Sequence, residues 1–376
     1  MAAAPKGAAL EELVRAYFAR QGFFALRGVS LRFDEEEVTD IDVWLYGRQS
    51  ASLRTRTIVD VKDKRSPKAF ERILWTRGVQ LALGCDRGVV ATTDNNPKIV
   101  RFAQQQKVAL LTRQFLERLQ KNVSTETRQS AEQFVANIQS NPNHKQDGDW
   151  LRRIADAKSA LISLSGYPAF NKAISTFRFF GERAETRPLH REQALRGAYI
   201  AAALACIALD SALERSVYED AATRFRSIAN GVTYGDAGDG RVQSSIDSVL
   251  TVLSGAMENG RVVATQARDA FERLFEQVRS DIIAEFFSRE HNSSSLFSVA
   301  REFDEKAHSI DPLTMLDLST EAKSVLGVFA DFVAVKRGPL FAGQSQRSSG
   351  NRASETGQPK SADDQEPSKL KQDKLL

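Results

Sequence analysis

The sequence has few of the residues that build disulfide- or zinc-based folds. Among its 376 residues are only two cysteines, Cys85 and Cys206, and four histidines. Two distant cysteines exclude a disulfide framework and a four-cysteine zinc site. No run reaches the roughly 18–20 apolar residues of a membrane-spanning helix. The longest apolar stretch, residues 199–209, is predicted to be a buried helix.

What the chain does contain is typical of a globular protein of two or three domains, with 42% hydrophobic and 27% charged residues. Glu11 and Glu12 stand where a signal peptide has its apolar segment, so a cytoplasmic location is expected. Residues 1–120 carry 20 Lys and Arg against 14 Asp and Glu, whereas the remainder carries 32 against 34. A positive first third is compatible with a polyanionic partner.

Hydrophobic periodicity divides the chain into an α/β domain, a helical domain and a polar tail. Over residues 1–120 it predicts the order α-β-β-β-α-β-α-β-α, typical of an α/β domain with a mixed central sheet flanked by helices. Residues 121–148 are predicted to form a helical linker, and residues 149–342 an all-helical domain. Residues 343–376 lack aromatic residues and are predicted to be disordered.

Helices in the second part of the chain are predicted over residues 131–138, 151–164, 193–230, 242–257, 262–287 and 312–335. The amphipathic stretch 255–287 is predicted to pack within the helical domain. Binding of a second copy or of a partner helix is the alternative for this stretch.

Charged residues interrupt two otherwise apolar strands of the first domain. In the strand TIVDVK (residues 57–62), Asp60 and Lys62 point to the side opposite Val59 and Val61, because side chains alternate along a strand. A buried carboxylate costs several kcal/mol unless it is paired or metal-bound. An acid in an apolar strand therefore indicates a functional partner.

The preceding strand, TDIDVWLY (residues 39–46), places Asp40 and Asp42 on one face by the same alternation. If the two strands pair as a hairpin, carboxylates and Lys62 converge. Two carboxylates and a nearby carbonyl suit Mg²⁺ or Mn²⁺, and a lysine supplies positive charge to a phosphodiester transition state. The alternative is a pair of exposed residues at the margin of the sheet, in which Lys62 neutralises Asp60.

Several short motifs follow one another in this domain. They are a helix with Glu11 eleven residues before Gly22, then Asp40-Ile41-Asp42, Asp60-Val61-Lys62, GVVATT and VALLT. In this order, residues 7–119 resemble a PD-(D/E)xK restriction-endonuclease-like domain of the Mrr-type branch. The resemblance covers about a third of the chain. It implies a metal-dependent nuclease that acts on DNA, in defence against foreign DNA or in repair.

The resemblance also implies a role for each motif residue. Asp42 and Asp60, assisted by the Val61 carbonyl, would bind Mg²⁺ or Mn²⁺. Lys62 would lie at the attacking water or the scissile phosphate, and Glu11 would be a supporting contact to the metal.

Two positions have competitors. Asp40 could replace Asp42, although Asp42 matches the motif position, and Glu12 could replace Glu11, although the spacing to Gly22 favours Glu11. Members of the Mrr-type branch often carry glutamine where this sequence has Asp60, and an aspartate there favours metal binding.

A run of basic residues follows the second strand. Lys64, Arg65, Lys68 and Arg72 are predicted to contact nucleic-acid phosphates, with a solvated helix face as the alternative. A non-catalytic nucleic-acid-binding or partner-binding module is the competing function, as is a nuclease that needs another subunit. The helical domain is expected to mediate homodimerisation or to bind a partner.

Overall fold

The computed structural model describes residues 6–33, 36–63, 68–94, 96–121, 128–164, 166–313 and 318–341. The first domain contains α1 (Lys6–Arg20), β1 (Phe24–Phe33), β2 (Glu36–Arg48), β3 (Arg54–Lys62), α2 (Ala69–Ala82), β4 (Arg87–Thr92), α3 (Lys98–Gln105), β5 (Val108–Leu111) and α4 (Arg113–Lys121). This order confirms the predicted one. The tail predicted to be disordered, residues 343–376, lies outside the described residues.

The five strands form one mixed sheet, as predicted. They lie in the order β1-β2-β3-β4-β5, with antiparallel pairing from β1 to β3 and parallel pairing from β3 to β5. The parallel pairs need crossover connections, which α2 and α3 supply.

Helices and the rest of the chain cover both faces of the sheet. One face packs against α1 and α4 through Leu10, Leu13, Val14 and Leu116. On the other face, α2 and α3 cover β4 and β5, with Ile73 and Ile99 buried against Val90.

The remaining part of that second face, on β1 to β3, packs directly against the helical region. Phe24, Leu26, Trp44 and Tyr46 belong to the same buried cluster as residues of the helical region such as Ile207. A single core therefore continues across the predicted boundary between the two domains.

The helical region contains α5 (Ala131–Gln139), α6 (Trp150–Ser163), α7 (Gly166–Thr186), α8 (Arg191–Ala212), α9 (Ala221–Tyr234), α10 (Gly238–Ala256), α11 (Gly260–Glu276), α12 (Ser280–Phe287), α13 (Glu290–Ala307), α14 (Thr320–Phe332) and α15 (Arg337–Phe341). The single helix predicted over residues 193–230 is wrong, because Asp220 caps a new helix there by accepting a hydrogen bond from the Thr223 amide. The helix predicted over residues 262–287 is likewise divided, into α11 and α12.

One segment of the described residues, Pro188–Ala212, is long and apolar enough to cross a membrane by length and composition alone. However, 94% of its apolar window is buried inside the protein, as in the core helix of a soluble protein. This agrees with the buried helix predicted over residues 199–209. Cys85 and Cys206 are both free and buried.

Candidate active site

The candidate site lies where β2 and β3 separate. Their pairing ends at Val43 and Val59. Beyond this point the backbone amide of Val61 donates a hydrogen bond to Asp42 Oδ2, at 2.7 Å. The Asp42 side chain thus replaces a strand carbonyl as the partner of the Val61 amide, and this fixes the carboxylate in the fork between the two strands.

A change in side-chain alternation explains why Asp42 enters the fork. Ile41 packs with Trp44 in the cluster on the helical side of the sheet, whereas Val43 packs on the opposite side. The regular alternation of side chains between the two faces of the sheet is therefore interrupted at Asp42. The same interruption occurs on β1 at Gly28, whose φ is 60°. Glycine adopts such a backbone conformation without steric cost.

The predicted common face of Asp40 and Asp42 is therefore wrong. Asp40 is exposed and accepts a hydrogen bond from Ser30 Oγ at 2.8 Å. Strict alternation would have kept the two carboxylates together, but the interruption at Asp42 separates them. The structure thus brings Asp42, and not Asp40, to Lys62.

Asp60 and Lys62 project from β3 toward the same place, while Val59 and Val61 pack against α1. Lys62 Nζ lies 3.3 Å from Asp42 Oδ2 and 3.4 Å from Asp60 Oδ1, so the ammonium bridges both carboxylates. The Asp60 side chain is only 1% exposed. The alternative of an exposed pair at the sheet margin does not describe this arrangement.

Arg72, on α2, is a further partner of Asp60. Its Nε donates to Asp60 Oδ2 at 2.9 Å, and its Nη2 donates to Oδ1. The guanidinium also lies over the Trp75 ring, 4.1 Å from the centroid. The sequence placed Arg72 on nucleic-acid phosphates, and no sequence pattern identifies its pairing with Asp60, because that pairing depends on how α2 packs against β3.

The other predicted phosphate contacts are distributed differently. Lys64 and Arg65 lie outside the described residues. Lys68 is exposed, and its Nζ lies 3.3 Å from Glu71 Oε2 in a solvated ion pair. Among the described members of this basic run, only Arg72 therefore reaches the candidate site.

Glu11 is held next to the site by an arginine that the sequence analysis did not identify. Arg27 donates from Nε to Glu11 Oε2 at 3.0 Å and also binds Glu132 through two nitrogens. Glu12 contacts the same arginine at 3.5 Å and pairs with Arg15. Of the two glutamates, it is Glu11 whose negative charge raises the pKa of Asp42.

The environment of Asp42 favours its protonated form. Burial raises the pKa of Asp42 to about 6, against the lowering effects of the Val61 amide and Lys62. The charges of Asp60 and Glu11 raise the pKa of Asp42 further. Lys62, Arg72 and Arg27 balance the charges of these three carboxylates, so a metal ion at Asp42 and Asp60 would have to compete with the cations already paired there.

This raised pKa predicts a specific pH dependence of stability. The folded state binds the Asp42 proton more tightly than the unfolded state, whose pKa is near 3.8. Protonated Asp42 therefore contributes to the free energy of unfolding. This contribution is fully present below pH 3.8 and is lost as the pH rises through about 6. We expect wild type to gain about 2 kcal/mol relative to Asp42→Asn between neutral pH and pH 4. Urea unfolding across this range measures the difference, and parallel curves for the two proteins would contradict it.

The donor atoms permit a test of whether a metal ion fits. In the part of the chain that the structure describes, no group of three or more His, Cys, Asp or Glu side chains is placed to hold one. The carboxylates of Asp42 and Asp60 and the Val61 carbonyl remain as hard oxygen donors. Mg²⁺ commonly takes one or two carboxylates and keeps several waters. The set fits Mg²⁺ or Mn²⁺ in its chemistry, provided that Asp60 releases Arg72.

Comparison of the chain with protein-family models, with curated proteins and with solved structures gave no significant match.

Proposed function

We propose that the protein is a metal-dependent nuclease that hydrolyses phosphodiester bonds in DNA. The convergence of Asp42, Asp60 and Lys62 at the fork between β2 and β3 carries the proposal. A structural role alone does not require two carboxylates and a lysine in this partly buried place. The resemblance of the same residues to the PD-(D/E)xK motif supports the same reaction.

Each residue has a role in this reaction. Asp42, Asp60 and the Val61 carbonyl would hold Mg²⁺ or Mn²⁺, which when bound acts as a Lewis acid and lowers the pKa of a coordinated water. Lys62 orients the attacking water or a phosphate oxygen, and its charge stabilises the transition state. Glu11, fixed by Arg27, adds negative charge beside Asp42.

Incubation with supercoiled plasmid, single-stranded DNA and an RNA of the same sequence tests the proposal. We expect nicked or linear plasmid in Mg²⁺ or Mn²⁺ and no cleavage in EDTA. Cleavage of RNA alone would contradict the choice of DNA. Absence of cleavage of all three substrates would contradict catalysis by the isolated chain.

A non-catalytic binding module is the second candidate, and one observation favours it. Arg72 binds both oxygens of Asp60, so this carboxylate is neutralised without a metal. Titration calorimetry with Mn²⁺ separates the two functions. The nuclease predicts a binding isotherm that Asp60→Asn abolishes, whereas the binding module predicts DNA binding without a metal isotherm. Metal binding without cleavage would indicate a nuclease that needs another subunit.

The competition between Arg72 and a metal for Asp60 gives a further prediction. In Arg72→Ala, the buried Asp60 keeps only Lys62, so we expect a loss of about 2–4 kcal/mol of stability in EDTA. Mn²⁺ should restore more stability to this variant than it adds to wild type, because the ion no longer displaces a guanidinium. Thermal unfolding with and without Mn²⁺ measures both effects.

Arg77→Ala is the matched control, since Arg77 lies on the same helix and bonds to Gln80 rather than to Asp60. Equal metal responses in wild type and both variants would show that Arg72 and the metal do not compete.

A further inference from the structure

Helices α10 and α11 form a hairpin that stands apart from the core. Of the 19 residues of α10 and the 17 of α11, only Leu250 and Gly260 are buried. By contrast, most residues of α8 are buried. Within the described residues, neither hairpin helix contributes to a buried hydrophobic cluster. The prediction that residues 255–287 pack within the helical domain therefore holds for α12, which is buried, and fails for α11.

The hairpin is nevertheless well defined internally. Its helices approach closely at Gly260, where a Cβ atom would lie 2.3 Å from the Leu253 carbonyl oxygen. Arg268 and Asp247 form an ion pair of 2.7 Å between the two helices. The Phe275 ring contacts Tyr234, at the end of α9, with centroids 4.9 Å apart. These contacts fix the antiparallel pair and attach its base to the body of the protein.

Each helix of the hairpin carries apolar residues that its partner does not cover. On α10, Val249 and Val252 are 55% and 68% exposed. On α11, Phe271 and Leu274 are 39% and 58% exposed. Exposed apolar residues grouped in this way mark an interaction surface.

Helix geometry places the two exposed flanks together. Successive residues of a helix are about 100° apart, so Val249 and Val252 lie to one side of the buried Leu250. Leu274 lies in the same rotational sense from the buried Gly260, about 40° away. Phe271 lies about 20° from Gly260 in the other sense, close to the line of contact with α10, and is not part of this flank. Because the helices run antiparallel, the same sense of rotation brings both flanks to one side of the hairpin. We call this apolar side the hairpin face.

We propose that the hairpin face binds the hairpin face of a second copy of this chain. Two such hairpins form a four-helix bundle, in which the uncovered side of each apolar stripe becomes buried. Helix α11 carries three arginines and three acidic residues, so it does not call for a partner of opposite charge. Because these charges balance, a second copy of the helix adds no net electrostatic repulsion.

The size of the face sets the expected strength. A helix of 19 residues is about 28 Å long, and two adjacent helices are about 20 Å wide. This footprint is near the roughly 600 Å² per partner at the lower end of specific interfaces. We therefore expect a dimer that dissociates on dilution. In a dimer, the proposed nuclease would carry two active sites, one for each DNA strand; this consequence alone rests on the proposed function.

Sedimentation velocity of the full chain across the micromolar range tests the proposal without using activity. Wild type should approach twice the 41.7 kDa mass of one chain as its concentration rises. The double variant Val252→Glu/Leu274→Glu should remain at the mass of one chain. Both side chains are exposed in the single copy, so circular dichroism and thermal unfolding should match wild type.

Leu189→Glu is the matched control, because Leu189 is 91% exposed but lies outside the hairpin. This variant should dimerise like wild type. Wild type that stays at 41.7 kDa at every concentration would overturn the proposal. A dimer that persists in the double variant would also overturn it, because its interface would lie elsewhere.

Discussion

Replacing Lys62 by alanine is expected to lower the rate of metal-dependent DNA cleavage at least about 100-fold, the usual cost of removing one preorganised electrostatic group from an active site. Lys62 Nζ lies 3.3 Å from Asp42 and 3.4 Å from Asp60, which places its charge beside the proposed metal ligands. The substitution removes this charge from the transition state. Single-turnover cleavage of a labelled duplex, at saturating enzyme, measures the chemical step.

Lys68→Ala is the control for the loss of a lysine near the site. Lys68 is exposed and paired with Glu71, so its removal should weaken DNA binding slightly and leave the single-turnover rate at saturation unchanged. Equal losses in both lysine variants would assign Lys62 to binding rather than to the reaction.

Asp42→Asn and Asp40→Asn form a second matched pair, since both aspartates lie on β2. Asp42→Asn should abolish cleavage, because it removes a proposed metal ligand and weakens the hold on the Val61 amide. Asp40→Asn should cleave like wild type, because Asp40 contacts Ser30 at the surface. The opposite result would place the metal ligand at Asp40.

The sequence was sufficient to predict the elements of the first domain because each short strand or helix there has its own hydrophobic period. It also predicted the meeting of Asp60 and Lys62 with Asp42, since two of these residues alternate on one strand. It failed at Asp40, because the interruption of side-chain alternation at Gly28 and Asp42 is a property of the paired strands and not of either strand alone.

The remaining partners in the site could not be predicted, because they come from distant parts of the chain. Arg72 reaches Asp60 only when α2 packs on β3, and Glu132 reaches Arg27 across 105 positions of sequence. Local periodicity carries no information on such pairings. The same limit applies to α11. Its amphipathic sequence is typical of a helix packed against a core, but in the structure only Gly260 of this helix is buried.

Replacing Asp210 is expected to have the largest effect on stability. The Asp210 carboxylate, at the end of α8, is 1% exposed and accepts a hydrogen bond from the Tyr46 hydroxyl at 2.7 Å. It also accepts from Arg48 at 2.9 Å and from Arg54 at 3.0 Å. These three donors lie on β2 and β3, so one buried carboxylate joins the sheet that carries the candidate site to the helical region.

Asp210→Ala leaves two largely buried arginines without this carboxylate, and we expect it to reduce the free energy of unfolding by about 3–5 kcal/mol. This loss of stability comes from the buried arginine charges that Asp210 no longer neutralises. It should therefore be smaller in the double variant Asp210→Ala/Arg54→Met. Urea unfolding of the two single variants and the double variant measures this coupling.

The exposed pair of Asp247 and Arg268 provides the comparison. Asp247→Ala should cost less than about 1 kcal/mol, because both partners of that ion pair are solvated. If Asp210→Ala cost no more than Asp247→Ala, the buried cluster would not hold the sheet to the helices. A large cost that Arg54→Met relieves would instead show that the position of the β2–β3 fork depends on α8. The helical region would then help to position the candidate site, although within the described residues no hydrogen bond or ion pair joins it to Asp42, Asp60 or Lys62.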